Sequence, residues 1–313
     1  MKQFTTEGIK ANSKNVFSRM GEDGILEYLF DCIGTSNKYC VEFGAYNGAL
    51  DSNTCNLRIN HGWNGLLLDR KKKYSYENIH IKKIIKILNK TYPQEIVDII
   101  HYFLIKKNSI KECLVQEKEN FKLVKGWKKK VNKLKRVPHK RISRKIRFNV
   151  SEKHIIDILK KFYVFDVWIT AENIMEIFNK HNVPEIFDFL SIDVDGNDYW
   201  IWKAIKNRPK VVIIEFNSSL GPDEDKIIPY DANFKYEYNN YFGASLKALT
   251  KLANIKGYSL VYQNAPFNAF FVLSEFVPES IKNMNIKDIF PNPVPHPKLA
   301  SCPAGKKWIQ DYV

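Results

Sequence analysis

The sequence contains no C-x-x-C pair, and its seven histidines form no zinc-like cluster, which excludes the common zinc and dithiol motifs. The five cysteines, Cys32, Cys40, Cys55, Cys113 and Cys302, are dispersed and suit reduced thiols. No apolar run reaches the roughly 18 residues of a membrane span. The opening MKQFTTEGIKANSK lacks the apolar core of a signal peptide, so a cytoplasmic protein is expected. Acidic residues are absent from 121–150, a window with 13 Lys or Arg. It carries nearly all of the formal charge of +15, which leaves the remainder close to neutral.

What is present is a core-forming chain of 313 residues, 44% hydrophobic, with 20 Phe and 16 Tyr. That is enough for one large domain or two small ones. The stretch Tyr39–Asn53 organises the reading. Tyr39 to Phe43 is short and apolar and runs into Gly44 and Gly48, the pattern of a buried strand, a tight turn and a helix start. Glu42, inside the strand end, needs a partner if it is dry. A strand–turn–helix crossover of this kind binds nucleotide-like ligands in open α/β sheets. The spacing E-x-G-x-x-x-G is neither the dinucleotide fingerprint nor a P-loop. It points to a nucleoside-type cofactor with no pyrophosphate clamp, or to an ordinary strand–turn–helix.

Elsewhere the chain alternates helix and strand. Residues 15–34 have helical spacing, with Glu22 and Asp23 suited to the positive end of the helix and Gly34 as a stop. A helix is expected over 52–61 and a strand over 63–69, ending in Asp69. Residues 79–105 hold two helical patterns split near Pro93, and 110–118 suit a strand or a helix. Over 121–147, Val124, Trp127, Val131, Leu134 and Val137 recur at three or four residues, predicting a basic amphipathic helix. The regular pattern resumes with a strand over 162–169, a helix begun at Thr170 with Asn173 in the capping-box position, and a strand over 187–193. A helix over 199–207 bounded by Pro209 and a nearly continuous apolar strand from Lys210 follow. A loop of about 25 residues leads to a helix over 243–256 and a closing hairpin, 258–262 and 268–273. The tail is proline-rich and is expected to pack loosely. The alternation predicts a mostly parallel three-layer sheet with an antiparallel edge.

Glu42, Asp69, Asp193 and Glu215 all fall at predicted C-terminal strand ends, the rim where such sheets bind ligands. Asp69, closing the second strand, suits a ribose, since a carboxylate can accept from both hydroxyls; the alternative is a solvated strand end. Asp193-x-Asp195-Gly196-x-Asp198 allows three readings. It can hold a divalent cation such as Mg²⁺ on Asp193, Asp195 and Asp198, orient an acceptor as general base, or form a solvated turn. The EF-hand pattern is not met, because Ala204 stands at its twelfth position. Glu215 could be a base of raised pKa, with Asn217 beside it. Asn268 and Tyr230 could reach the same rim. Ser245 is as readily a helix cap.

Taken together these residues resemble a family. Val41-Glu-Phe-Gly-Ala-Tyr-Asn-Gly48, Ser52-Asn53 and Gly62-Trp-Asn-Gly-Leu-Leu-Leu-Asp69 are similar to the front half of FkbM-type S-adenosylmethionine-dependent methyltransferases. Trp168-Ile-Thr-Ala-Glu-Asn-Ile174, Leu190 to Trp200, Val212-Ile-Ile-Glu-Phe-Asn217, Tyr241-Phe-Gly-Ala-Ser-Leu246 and Asn268-Ala-Phe-Phe-Val272 are similar to segments of an uncharacterised branch of that group. The resemblance spans roughly 17–70 and 160–273. It implies a Rossmann-like class I methyltransferase sandwich with strand order 3-2-1-4-5-7-6, its seventh strand antiparallel, plus a basic, mainly helical insertion. In these terms 1–70 is the N-terminal helix and first half of the cofactor domain, 71–160 the insertion or lid, 161–273 the second half and 274–313 the tail.

The resemblance also implies roles. The cofactor would lie over Gly44, Tyr46, Asn47 and Gly48, with Glu42 near its methionine end, Ser52 and Asn53 near the loop, Asp69 on the ribose and Thr170–Asn173 near the adenine. Asp193 would stand beside the methyl-transfer centre. Asp195, Asp198, Glu215 and Asn217 would surround the acceptor, with Asp195 or Glu215 as base. The implied reaction is O-methylation of a hydroxyl on a sugar or glycan precursor, nucleotide-linked or lipid-linked. Two features depart from the family. Tyr46 stands where many methyltransferases have a second glycine, and the insertion is long and basic. The insertion suits peripheral contact with an anionic membrane through 121–147, less so nucleic acid, or it is a solvated arm. The alternatives from other classes are a metal-dependent glycosyltransferase using Asp193 and Asp195 as a D-x-D element, and a non-catalytic cofactor-fold interaction protein.

Overall fold

The structure is a computed structural model. It describes residues 2–70, eight positions between 85 and 97, the backbone of 114–117 and 120, and residues 121–123, 151–295 and 300–312. The helical patterns over 79–105 fall mostly outside these residues, as does the amphipathic reading of 124–147 and with it the membrane contact. What is described of the insertion includes a hairpin, β3 (Leu114–Glu117) and β4 (Asn120–Leu123). Residues 121–123 are therefore strand rather than the start of the expected helix.

Seven strands form one sheet: β1 (Tyr39–Phe43), β2 (Asn64–Asp69), β5 (Val164–Asp166), β6 (Ile186–Ile192), β7 (Arg208–Glu215), β8 (Tyr258–Asn264) and β9 (Asn268–Leu273). Their order is β5-β2-β1-β6-β7-β9-β8. β9 runs antiparallel to both neighbours, while the other pairs are parallel. With the β3–β4 hairpin set aside, this is the order 3-2-1-4-5-7-6. The result is a mixed α/β sandwich of generic Rossmann-like form.

The continuous apolar run in β7 covers both faces, as an interior strand must. Val211 and Ile213 pack with Ile25 and Leu29 of α2 (Glu22–Ile33). Val212 and Ile214 point the other way, towards Trp202 of α6 (Asp198–Ala204) and Leu249 of α7 (Leu246–Ile255). All four are fully buried. Pro209 does not bound the preceding helix; it lies inside β7, paired with Phe187 near the strand start, where a missing N–H is tolerated. Ser245 caps α7, accepting from the Ala248 N–H at 3.2 Å.

Three further expectations need correction. Glu22 and Asp23 serve more than the helix dipole. Asp23 Oδ2 accepts the N–H groups of Val16, Phe17 and Ser18 at 2.7–2.8 Å and so folds the preceding turn over the helix start. Thr170 and Asn173 do bond reciprocally, Asn173 Oδ1 accepting from Thr170 N–H at 2.8 Å, but the helix begins only at Ile174. The tail is not loose. Ile281, Phe290 and Tyr312 are buried, and Ile309 exchanges both backbone hydrogen bonds with Ile227. That exchange gives order to the long loop after β7, which has few regular partners of its own.

Candidate functional site

The sheet order reverses between β1 and β6, and a cavity of about 180 Å³ opens there. The chain leaves β1 through Gly44 at φ +68. A Cβ at that position would meet the Asp193 carbonyl oxygen at 2.0 Å, so only glycine lets β1 and β6 release their ends side by side. Tyr46 follows in the left-handed region at φ +54. Its backbone N–H donates to Asp69 Oδ2 at 2.6 Å, which ties the turn to the end of β2. Asn47 Oδ1 then accepts from the N–H groups of Ala49 and Leu50 at 2.9 and 2.8 Å. Gly44, Tyr46, Asp69, Asp193 and Asp195 all line the cavity.

Glu42 finds its partners on the following loop. It is 3% exposed. Oε1 accepts from the Asn53 N–H at 2.7 Å, and Oε2 accepts from the Ser52 and Thr54 hydroxyls at 2.7 and 2.5 Å. Behind them lies Arg58 of α3 (Cys55–Asn60), 1% exposed. Its Nε donates to Thr54 Oγ1 at 3.0 Å and its Nη2 to the Gly48 carbonyl at 2.6 Å. The carboxylate and guanidinium thus compensate each other through two hydroxyls, and the network holds the Gly44–Gly48 turn from beneath. Glu42, Ser52 and Asn53 belong to this network and do not appear on the cavity wall. Sequence reading missed Arg58; the signal was a cation among apolar residues on a short helix behind the glycine turn.

On the other side of the reversal stands a carboxylate cluster. Oxygens of Asp193, Asp195 and Glu215 all lie within 4.8 Å of one another. Burial pushes the Glu215 carboxyl well above its ordinary pKa, and the charges of Asp193, Asp195 and Asp198 add to the effect. Asp195 adopts φ +59, the strained conformation that turns it out of the strand end. Asp198 does not join the cluster as a ligand. It is 1% exposed, and its two oxygens accept from the Val194 and Gly196 N–H groups, both at 2.8 Å. Its role is to hold the 193–197 turn. Burial raises its pKa to about 6 against those donors, helped by Asp195.

The remaining wall comes from residues that pattern reading did not single out. Arg70 lies over the Trp168 ring at 4.7 Å, and both line the cavity, as do Asn197 and Phe234. Val167 to Ile169 reach the wall, whereas Thr170 and Asn173 cap each other beside it. Phe234 comes from the long loop and packs its ring on Gly196, where a Cβ would lie 2.4 Å away.

No family model, curated protein or solved structure matches the chain. The site therefore stands on its own geometry.

The other predicted acceptor residues are placed as follows. Asn217 is fully buried and pins the long loop, its Nδ2 donating to the carbonyls of Asn240 and Phe242 at 3.1 Å. Asn268 pairs with Glu215 in the sheet register and donates to Glu22 Oε1 at 3.0 Å. The Tyr230 hydroxyl donates to Glu172. None of these three lines the cavity. Tyr236, on the same loop, has its phenol pKa raised by burial and then by Glu215 and Asp195, which places it in the field of the carboxylate cluster.

Proposed function

We propose that the chain is an S-adenosylmethionine-dependent methyltransferase of the FkbM type, acting on a hydroxyl of a sugar or glycan precursor. The observation that carries this reading is Asp69. A carboxylate closing the second strand lines a cavity at the sheet reversal and is fixed to the glycine turn by the Tyr46 N–H. That arrangement suits a nucleoside whose ribose lies on Asp69 and whose amino-acid end lies over Gly44. Trp168 and the Arg70 guanidinium over its ring both line the cavity and supply planar groups against which a base can pack.

Bound S-adenosylmethionine would supply an electrophilic methyl group. The chain must then align an acceptor oxygen with it, exclude water and take up the hydroxyl proton. Asp195 and Glu215 are the candidate bases. The raised pKa of Glu215 makes its ionised form the stronger base. Phe234 lines the cavity with Asp193 and Asp195 and gives the acceptor side an aromatic border that suits the apolar face of a sugar ring.

The carboxylate cluster also supports the rival reading, in which Asp193 and Asp195 hold a metal and a nucleotide-sugar diphosphate. Thermal unfolding separates the two. S-adenosylhomocysteine at millimolar concentration is expected to raise the midpoint by several degrees, as RT ln(1 + [L]/Kd) requires for a micromolar ligand. UDP is expected to add nothing to the midpoint measured with Mg²⁺ alone. The reverse result favours glycosyl transfer and overturns the methyltransferase reading.

A further inference from the structure

Two acceptor oxygens, one in the carboxylate cluster and one on a residue of the cavity wall, are buried without a donor among the described residues. One is Glu215 Oε2, at the end of β7. The other is Asn197 Oδ1, on a side chain only 5% exposed that lines the cavity with Asp193 and Asp195. The Asn197 amide cannot simply be turned over, because its Nδ2 donates to the Asp231 carbonyl at 2.7 Å. A buried acceptor without a partner is destabilising, and native proteins keep few of them. Glu215 is one of three carboxylates whose oxygens lie within 4.8 Å of one another, and Asn197 shares the cavity wall with the other two, which points to a common partner.

The chemistry of that partner follows from the donor set. It consists only of oxygen, and a carboxyl group that has lost its proton can only accept. A hydroxyl or amide ligand could satisfy only one of the two buried oxygens at a time. A hard divalent cation takes several oxygens at once. The cluster has no His or Cys, which sets it apart from zinc and copper sites. Its spread suits such an ion, since opposite ligands stand about 4.2 Å apart across Mg²⁺ and about 4.6–5.2 Å apart across Ca²⁺.

We propose that Asp193, Asp195 and Glu215 form a divalent-cation site, with the side-chain oxygen of Asn197 as a neighbouring donor. This ligand set differs from the one expected from the sequence spacing, Asp193, Asp195 and Asp198. The Asp198 oxygens are committed to the Val194 and Gly196 N–H groups, whereas Glu215 arrives from the next strand. The site itself rests on the geometry. Only its use rests on the methyltransferase reading: there, the ion would take the place of a carboxylate base by holding the acceptor hydroxyl and lowering its pKa.

The test is a titration of the purified full chain with Mn²⁺, followed by electron paramagnetic resonance, with Mg²⁺ and Ca²⁺ as competitors. One saturable ion per chain is expected. Glu215→Gln and Asp195→Asn should each weaken it by roughly tenfold or more, on the scale seen when groups of a metal site are lost. Asn197→Ala should weaken it less. Asp223→Asn, which changes an exposed acid paired with Lys287, should leave it unchanged. Thermal midpoints establish that each variant is folded, and Asp195→Asn carries the test if Glu215→Gln is not. Absence of saturable binding, or binding indifferent to both carboxylate variants, would overturn the site. S-adenosylhomocysteine titrated into the same samples keeps the two questions apart. Metal binding without it sinks only the use assigned to the ion, and its binding without metal sinks only the site.

Discussion

A methyl group added at Gly44 would lie 2.0 Å from the Asp193 carbonyl oxygen, on a residue already at φ +68. Neither the backbone of β6 nor the turn can yield cheaply, so Gly44→Ala is expected to lose about 2–4 kcal/mol of stability in urea unfolding. Arg58 raises the same kind of expectation for a different reason. Its guanidinium reaches Gly48 directly and Glu42 through the hydroxyls of Ser52 and Thr54. Arg58→Met would leave the Glu42 carboxylate buried without its counter-charge, at a cost of about 3–5 kcal/mol. Urea midpoints of the two variants within error of the parent would contradict this account of the turn.

At the scale of elements, the start of α2 gives a pH dependence whose sign can be worked out. Burial raises the Asp23 carboxyl to about 6, against the pull of the Ser18, Val16 and Phe17 donors, while its unfolded value is about 3.9. Between these values the folded chain holds a proton that the unfolded chain has lost. This contribution is fully present below about pH 4 and is lost as pH rises through 6, by up to about 3 kcal/mol. Asp23→Asn should therefore flatten the fall in stability between pH 4 and 6, measured by urea unfolding against the parent. Identical slopes would show that Asp23 titrates alike in both states. Element types were legible where apolar runs end in punctuation: Val41–Gly44, Leu66–Asp69 and Val211–Glu215 each read as a buried strand, and the closing hairpin followed from its spacing. What stayed illegible was set by contacts distant in sequence. Pro209 reads as a helix boundary until Phe187 appears beside it, and Asp198 reads as a ligand until the Val194 and Gly196 N–H groups claim it. Arg58, a cation on a short helix, acquires its role only when its guanidinium is seen to donate to the Gly48 carbonyl.

Across the whole molecule, the C-terminal segment closes over the long loop that follows β7. Ile309 pairs with Ile227, the Lys203 ammonium donates to the Tyr312 carbonyl at 2.6 Å, and the Tyr241 hydroxyl donates to the Lys307 carbonyl at 2.6 Å. Removal of 300–313 should cost about 3 kcal/mol or more and open the loop to trypsin at Lys226 or Lys235. Unchanged resistance to trypsin would show that the loop holds itself. The same loop brings Phe234 to the cavity, so its order couples the tail to the acceptor side. The central claim concerns the opposite wall and is tested most directly by calorimetric titration of the full chain with S-adenosylhomocysteine. Micromolar binding is expected, weakened by roughly tenfold or more in Asp69→Ala, as loss of a charge-assisted hydrogen bond implies. No binding by the parent, or equal affinity in a folded Asp69→Ala, would contradict the account.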